Sequence, residues 1–323
     1  MINRRLVLAT TGAVVSTCFS VMTAQTPATP SPVPNQPKIN SYANPGLIKY
    51  PAVRDQNQRG IDLFFGDWRE SMPRAEHGSL VLRDILTRGD QFAPPQKGAI
   101  LMYANFLSYG SLAARASTGS SRLEGQQEIF YILSGAGKMT AAGETVELHK
   151  DIAVLLPARL EFVMTNAGDE PLTMYVINEP CPSGFRPNDK LLVRDEESPR
   201  PPRAPITSTP FITPGAAGHW SHITRSLFST ADGLGAIQGV ITVALDPLTL
   251  GEPHPHGPGR EEVWLAMEGT SLAWVGTELR VQRPGVAYIV RPDQKTTHSN
   301  INAGDHRVKF LWFAGNGEHE LRR

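Results

Sequence analysis

The segment from Glu128 to Gly135, EIFYILSG, has a counterpart from Glu262 to Gly269, EVWLAMEG, with the same six residues between glutamate and glycine. Downstream, Pro157 and Pro292 each close the next apolar run. Asn166-Ala167-Gly168-Asp169 then returns letter for letter as Asn302-Ala303-Gly304-Asp305. Matched residues keep nearly constant offsets, 134 between the glutamates and 136 between the asparagines. Several matches in one order and at one spacing imply an internal duplication, so the fold must be one module built twice.

The module is a β structure. Runs such as DIAVLLP, LTMYVIN, GVITVAL, VAYIVRP and VKFLWF are short, rich in Val, Ile, Tyr, Phe and Trp, and bounded by glycine or proline. That pattern reads as strands, and no long segment carries a helical period. Two Pro-rich stretches divide the chain. Residues 25–40 form an extended tether, and residues 181–214 form the connection between an N-terminal domain, 41–180, and a C-terminal domain, 215–323.

Ahead of the tether, MINRRLVLATTGAVVSTCFSVMTAQ has a charged start, an apolar middle and a small-residue end before Gln25. This describes a secretory signal peptide over residues 1–24, with weak twin-arginine character in Arg4 and Arg5, and predicts a periplasmic or secreted protein. The middle is too interrupted by Thr, Ser and Gly to span a membrane, so no membrane association is expected after cleavage. Lys+Arg and Asp+Glu both number 31, and no basic stripe is present, which argues against a nucleic-acid partner. Cleavage leaves Cys181 as the single cysteine, so no intramolecular disulfide supports the fold.

In the C-terminal half His254-Pro255-His256, Glu262, Gly269, Gly285, Pro292, His298 and Asn302 occur in order. This resembles the two motifs of the cupin superfamily, G-x5-H-x-H-x3,4-E-x6-G and G-x5-P-x-G-x2-H-x3-N. The resemblance covers about 65 residues in each half. It implies an all-β bicupin, two jelly-roll type β-barrels in tandem. Five residues separate His256 from Glu262 instead of three or four, Gln294 stands at a motif glycine, and His298 comes one residue late.

The residue types suit a metal independently of the family. Imidazoles with one carboxylate favour a divalent first-row ion, Fe(II) or Mn(II) first, with Zn(II), Ni(II) or Co(II) also compatible. Residues two apart on a strand share a face, so His254 and His256 can both point inward while Pro255 points outward on an unpaired edge. Glu262 is preferred over Glu261 because its spacing to Gly269 repeats that of Glu128 to Gly135, although Glu261 would restore the family's four-residue gap. The expected ligands are His254, His256, Glu262 and His298, which leave about two positions open on an octahedral ion. Strand parity adds Trp264 and Asn300 as candidate substrate contacts, and the mouth loop adds Arg260.

The N-terminal half lacks this set. STGSSRLEGQQ precedes Glu128 where the histidine pair should be, and Phe162 stands at the position of His298, so this barrel is expected to be metal-free. His77, His149, His219, His222, His306 and His319 have no ligand spacing, and the loose pair His219 and His222 reads as loop or surface. The implied function is a metal-dependent enzyme acting on a small organic molecule, by dioxygenase, isomerase, lyase or hydrolase type chemistry. The alternative is a non-catalytic small-molecule or sugar-binding bicupin with a structural metal. Exposed barrel edges make a homodimer an expectation.

Overall fold

The computed structural model describes residues 60–196 and 221–316. The signal peptide, the tether, His219, His319 and most of the inter-domain connection lie outside the described residues. The first half carries β1 (Phe65–Asp67), β2 (Pro73–Glu76), β3 (Leu80–Arg88), β4 (Ala99–Leu101), β5 (Phe106–Leu112), β6 (Ser121–Arg122), β7 (Gln126–Ser134), β8 (Gly137–Ala141), β9 (Glu144–Leu148), β10 (Ile152–Leu156), β11 (Glu161–Asn166), β12 (Leu172–Pro180) and β13 (Leu192–Asp195). The second carries β14 (His222–Ser229), β15 (Ile237–Leu245), β16 (Thr249–Leu250), β17 (His254–Pro255), β18 (Arg260–Glu268), β19 (Ser271–Val275), β20 (Glu278–Gln282), β21 (Val286–Ile289), β22 (Thr297–Asn302) and β23 (Val308–Asn316).

These strands build two all-β barrels, each a large sheet facing a smaller one. In the first, β13-β10-β7-β12-β5-β3-β2 faces β6-β11-β8-β9; in the second, β1-β21-β18-β23-β15-β14 faces β16-β22-β19-β20, with β17 beside β22. Phe130, Val154, Phe162 and Met164 fill the first barrel, and Trp264, Tyr288, Val275 and Phe310 fill the second. A third core lies between the large sheets, where Ile129, Tyr131 and Ile177 meet Val263, Leu265, Leu311 and Phe313. The central strands β7 and β18 are therefore buried on both faces, which is why their sequences read as continuous apolar runs rather than alternating ones.

The duplicated motifs perform the same local tasks in both halves. Gly135 and Gly269 follow β7 and β18 with φ of +91° and +74°, a left-handed conformation that favours glycine. Asn166 Nδ2 donates to the carbonyls of Leu112, Ala113 and Glu170 while its Oδ1 accepts from Gly168 N. Asn302 repeats the pattern with Leu245, Asp246, His306 and Gly304. The shared N-A-G-D thus organises the turn by which each chain segment crosses from the small sheet to the large one.

The first half lends an edge strand to the second barrel. β1 pairs with β21 of the second barrel, through Phe65↔Tyr288, whereas β13 pairs with β10 of the first. β13 also corrects the reading of 181–214 as connection. Within this Pro-rich stretch Leu192 packs on the inter-barrel core and Val193 on the first barrel's core, so four residues form a two-faced strand that composition concealed.

Two buried glutamates tie the halves together in both directions. Glu179, on β12, accepts from the backbone amides of Gly235, Ala236 and Ile237 in the second half. Glu261, on β18, accepts from those of Met102, Tyr103 and Ala104 in the first. Beside them Lys309 Nζ donates to Tyr131 Oη at 2.9 Å and to Asp151 Oδ1 at 2.8 Å, and it also reaches Glu196 at the end of β13.

Candidate metal centre

β18 decides the carboxylate by its two-residue period. Glu262, Trp264 and Ala266 point into the second barrel, while Glu261, Val263, Leu265 and Met267 point toward the first. Glu261 is fully buried, spends both oxygens on the 102–104 amides and Gln91, and faces away from the histidines. Burial lifts its carboxyl to about 7, against the pull of those three amide hydrogen bonds.

Glu262 meets the three histidines instead. Ligand-capable atoms of His254, His256, Glu262 and His298 all lie within 4.8 Å of one another. His256 Nε2 is 2.9 Å from His298 Nε2 and 3.3 Å from Glu262 Oε2, and His298 Nε2 is 3.6 Å from Glu262 Oε1. Donors about 2.1 Å from a common ion lie about 3.0 Å apart in adjacent octahedral positions, so these separations fit one first-row ion. β17 pairs His254 directly opposite His298, and the chain then bends so that His256 also faces inward. Pro255 is exposed on this short strand, whose described partner is β22 alone.

Protonation favours metal binding. Burial drives the His298 imidazolium down to about 3, with His256, His254 and His222 adding to the effect against Glu262, so His298 is neutral at physiological pH. Burial also opposes the charge on Glu262, but the hydrogen bond from His256 and nearby positive charges hold its carboxyl well below the usual range. His254 Nδ1–H donates to the Glu252 carbonyl at 2.8 Å, which places its lone pair on Nε2. Tyr288 Oη donates to Asn300 Oδ1 at 3.1 Å and accepts from His298 Nδ1 at 3.1 Å, which fixes the equivalent tautomer for His298.

The three residues expected to contact substrate fall in different places. Trp264 is core, with Nε1 donating to Glu262 Oε1 at 2.8 Å, and Asn300 is buried behind His298 against Tyr288. Both are occupied within the protein and support ligands rather than line an open space. Arg260 is 27% exposed at the rim, near Glu262 Oε2 and bonded to Gln238.

His222 corrects a second expectation. It is buried at the start of β14, 5.2 Å from the Trp264 ring, where Gly251 passes so close that a Cβ would lie 2.7 Å from His222 Nε2. Sequence reasoning had no signal for it, because β14 reaches the site only through the sheet. Tyr288 was visible as the lone hydroxyl in VAYIV, but its role depends on the β18 and β21 register that sets it opposite Trp264.

The first barrel is organised around a different pair. His77, supplied by the turn before β3 at φ +49°, lies 2.9 Å through Nε2 from Glu128 Oε2, with its ring edge-on to Phe162 at 4.9 Å. Asn178 Nδ2 donates to the other Glu128 oxygen at 3.0 Å. One imidazole and one carboxylate bonded to each other do not make a metal site, although the bonded role of His77 was invisible in its spacing.

Residues 110–178 match the family model described as a cupin domain. No curated protein matches the chain. Among solved structures, the putative glyoxylate induced protein from Pseudomonas aeruginosa superposes with a TM-score of 0.58 at 11% identity, covering 82% of this chain and 92% of its own. A single-residue variant of oxalate decarboxylase from Bacillus subtilis gives 0.54 at 13%, covering 80% and 78%. AerE from Microcystis aeruginosa gives 0.50 at 13%, covering 78% and 99%.

Proposed function

We propose that this chain of bicupin fold, with a cupin domain in its first half and the same architecture repeated in its second, is a metal-dependent enzyme acting on a small organic molecule. The observation that carries this reading is the convergence of His254, His256, Glu262 and His298 in one barrel while the other barrel has none of the three histidines. A divalent ion held there, Fe(II) or Mn(II) by the chemistry of the donor set, supplies Lewis-acid and redox chemistry.

The protein's own residues supply the rest. Tyr288 and the Glu252 carbonyl orient two imidazoles, and Trp264 holds one oxygen of Glu262, so the donors are positioned before anything binds. His254 and His256 are partly exposed whereas Glu262 and His298 are buried, so the site opens on one side only. Arg260 stands at that opening as a cation able to take a polar or negatively charged substrate group.

The protein purified from its native compartment is expected to hold close to one Fe or Mn per chain, and His256→Ala or His298→Ala to abolish that content. Unchanged metal in both variants would falsify the site. For the Mn(II)-loaded protein, catechol or acetate is expected to change the electron paramagnetic resonance spectrum. A spectrum indifferent to both points instead to a non-catalytic structural metal. Export belongs to the same proposal and predicts a mature N-terminus at Gln25.

A further inference from the structure

The small sheets of the two barrels differ on their outer faces. In the second barrel, the register pairs Leu250↔Ile301, Ile301↔Leu272 and Leu272↔Val281 run across β16, β22, β19 and β20, with Trp274↔Leu279 beside them. Four apolar side chains thus cross the whole sheet in one row, and two more stand next to them. Val281 is 58% exposed, Leu279 52% and Leu250 40%, while Leu272, Trp274 and Ile301 are partly buried. Ala273, Val275, His298 and Asn300, at the alternate positions, are the buried inward set, which fixes the six as outward. Trp274 Nε1–H is spent on the Gly276 carbonyl at 2.8 Å, so this side chain offers the surface its ring.

The first barrel supplies a control within the same chain. Its matching row is Ser117↔Thr165, Thr165↔Lys138 and Lys138↔Glu147, with Thr140↔Thr145 beside it. Lys138 pairs with Glu147 at 3.1 Å, and Thr140 bonds Thr145 at 2.9 Å. The same backbone accommodates polar residues at these positions, so the fold itself does not require apolar ones. Among the described residues, the outward positions of β16, β19, β20 and β22 carry no charge. The turn into β16 adds Leu248, 81% exposed at φ +58°, a conformation that disfavours a bulky side chain. A contiguous exposed apolar patch of this kind marks an interaction surface.

We propose that this face is where two copies of the chain meet, small sheet against small sheet about a twofold axis. A twofold brings one patch onto itself, so an uncharged apolar face finds in its own copy a partner of matching chemistry. A membrane surface would call for Lys or Arg beside the apolar residues, and the outward positions hold none. The size also fits. Four strands at about 4.8 Å and five residues at about 3.4 Å make a face of about 19 Å by 17 Å. With a polar rim about one side chain deep, the contact reaches about 800 Å² on each copy, the standard for a stable complex. The two rows would interdigitate as the inner faces of a sheet sandwich do.

The test is the mass of the purified protein in solution, measured by analytical ultracentrifugation over a concentration series. Wild type is expected to be a dimer at micromolar concentration. Leu272→Lys combined with Val281→Glu copies the Lys138 and Glu147 pair that the first barrel already accommodates. This double variant is expected to raise the dimer dissociation constant about 100-fold while its cooperative melt stays unchanged. Leu279→Thr, at the exposed edge strand and copying Thr145, is expected to weaken the dimer about tenfold, which keeps the face testable if the double variant unfolds. Lys138→Ala, at the matching place of the first barrel, is expected to leave the dimer intact. A monomeric wild type would give the face to a different occupant and overturn the proposal. A dimer indifferent to both the double variant and Leu279→Thr, or one dissociated equally by Lys138→Ala, would overturn it as well.

Discussion

Glu261 and Glu262 are neighbours of identical chemistry, and both are buried, yet one grips the other half of the chain and the other joins three histidines. Strand parity alone separates them, and the repeated spacing to glycine carried that parity in the sequence. The supporting groups were less legible, since Tyr288 acts through a hydrogen bond to the far side of His298. Tyr288→Phe is expected to keep the fold and weaken metal binding by about 10–100-fold, as loss of an orienting partner does elsewhere. Competition with a chelator measures it, and unchanged affinity would remove Tyr288 from the site. His77 gives a pH prediction. Burial opposes its charge, but the hydrogen bond and charge of Glu128, aided by Glu76 and against Arg74, raise its folded pKa above the ordinary value near 6.5. A raised folded pKa stabilises the protein fully below the unfolded pKa, and the contribution fades as pH rises through the folded value. The stability difference between wild type and His77→Gln, measured by urea unfolding, should therefore shrink from pH 6 to alkaline pH. A difference that is constant across this range contradicts a charged His77.

At the scale of elements, the barrels were readable because duplication and glycine spacing survive divergence, whereas the short edge strands β1 and β13 were not. β1 is three residues and β13 four, too short to show a period, and β13 sits in a stretch whose prolines announce a connection. β1 nonetheless bears on the metal centre. Phe65 stacks on Tyr288 at 5.2 Å, and Tyr288 in turn holds His298. Phe65→Ala is expected to cost about 3 kcal/mol in denaturant unfolding, as for other buried phenylalanines, and also to weaken metal binding. Stability lost with metal affinity unchanged would show that β1 closes the sheet without steadying the ligands.

For the whole molecule, the loan of β1 means that the second half does not contain all of its own barrel. The first half lends β1 and the 102–104 amides to the second, and the second receives from Glu179 the acceptor for its own 235–237 amides. Separation also bares the shared core. Val263, Leu265, Met267, Leu311 and Phe313 would enter water from the second half alone, at about 2 kcal/mol each. The total of about 10 kcal/mol matches the entire stability of an ordinary domain and, being an area-based figure, is an upper estimate. Cutting the chain between residues 197 and 220 should therefore give two fragments that do not fold alone but recover a cooperative melt and metal binding when co-expressed. The contrary outcome is specific: a first fragment that melts cooperatively as a monomer, or a second that binds one metal ion by itself, would show that the lent strand β1 and the shared core are accessory to two self-sufficient barrels.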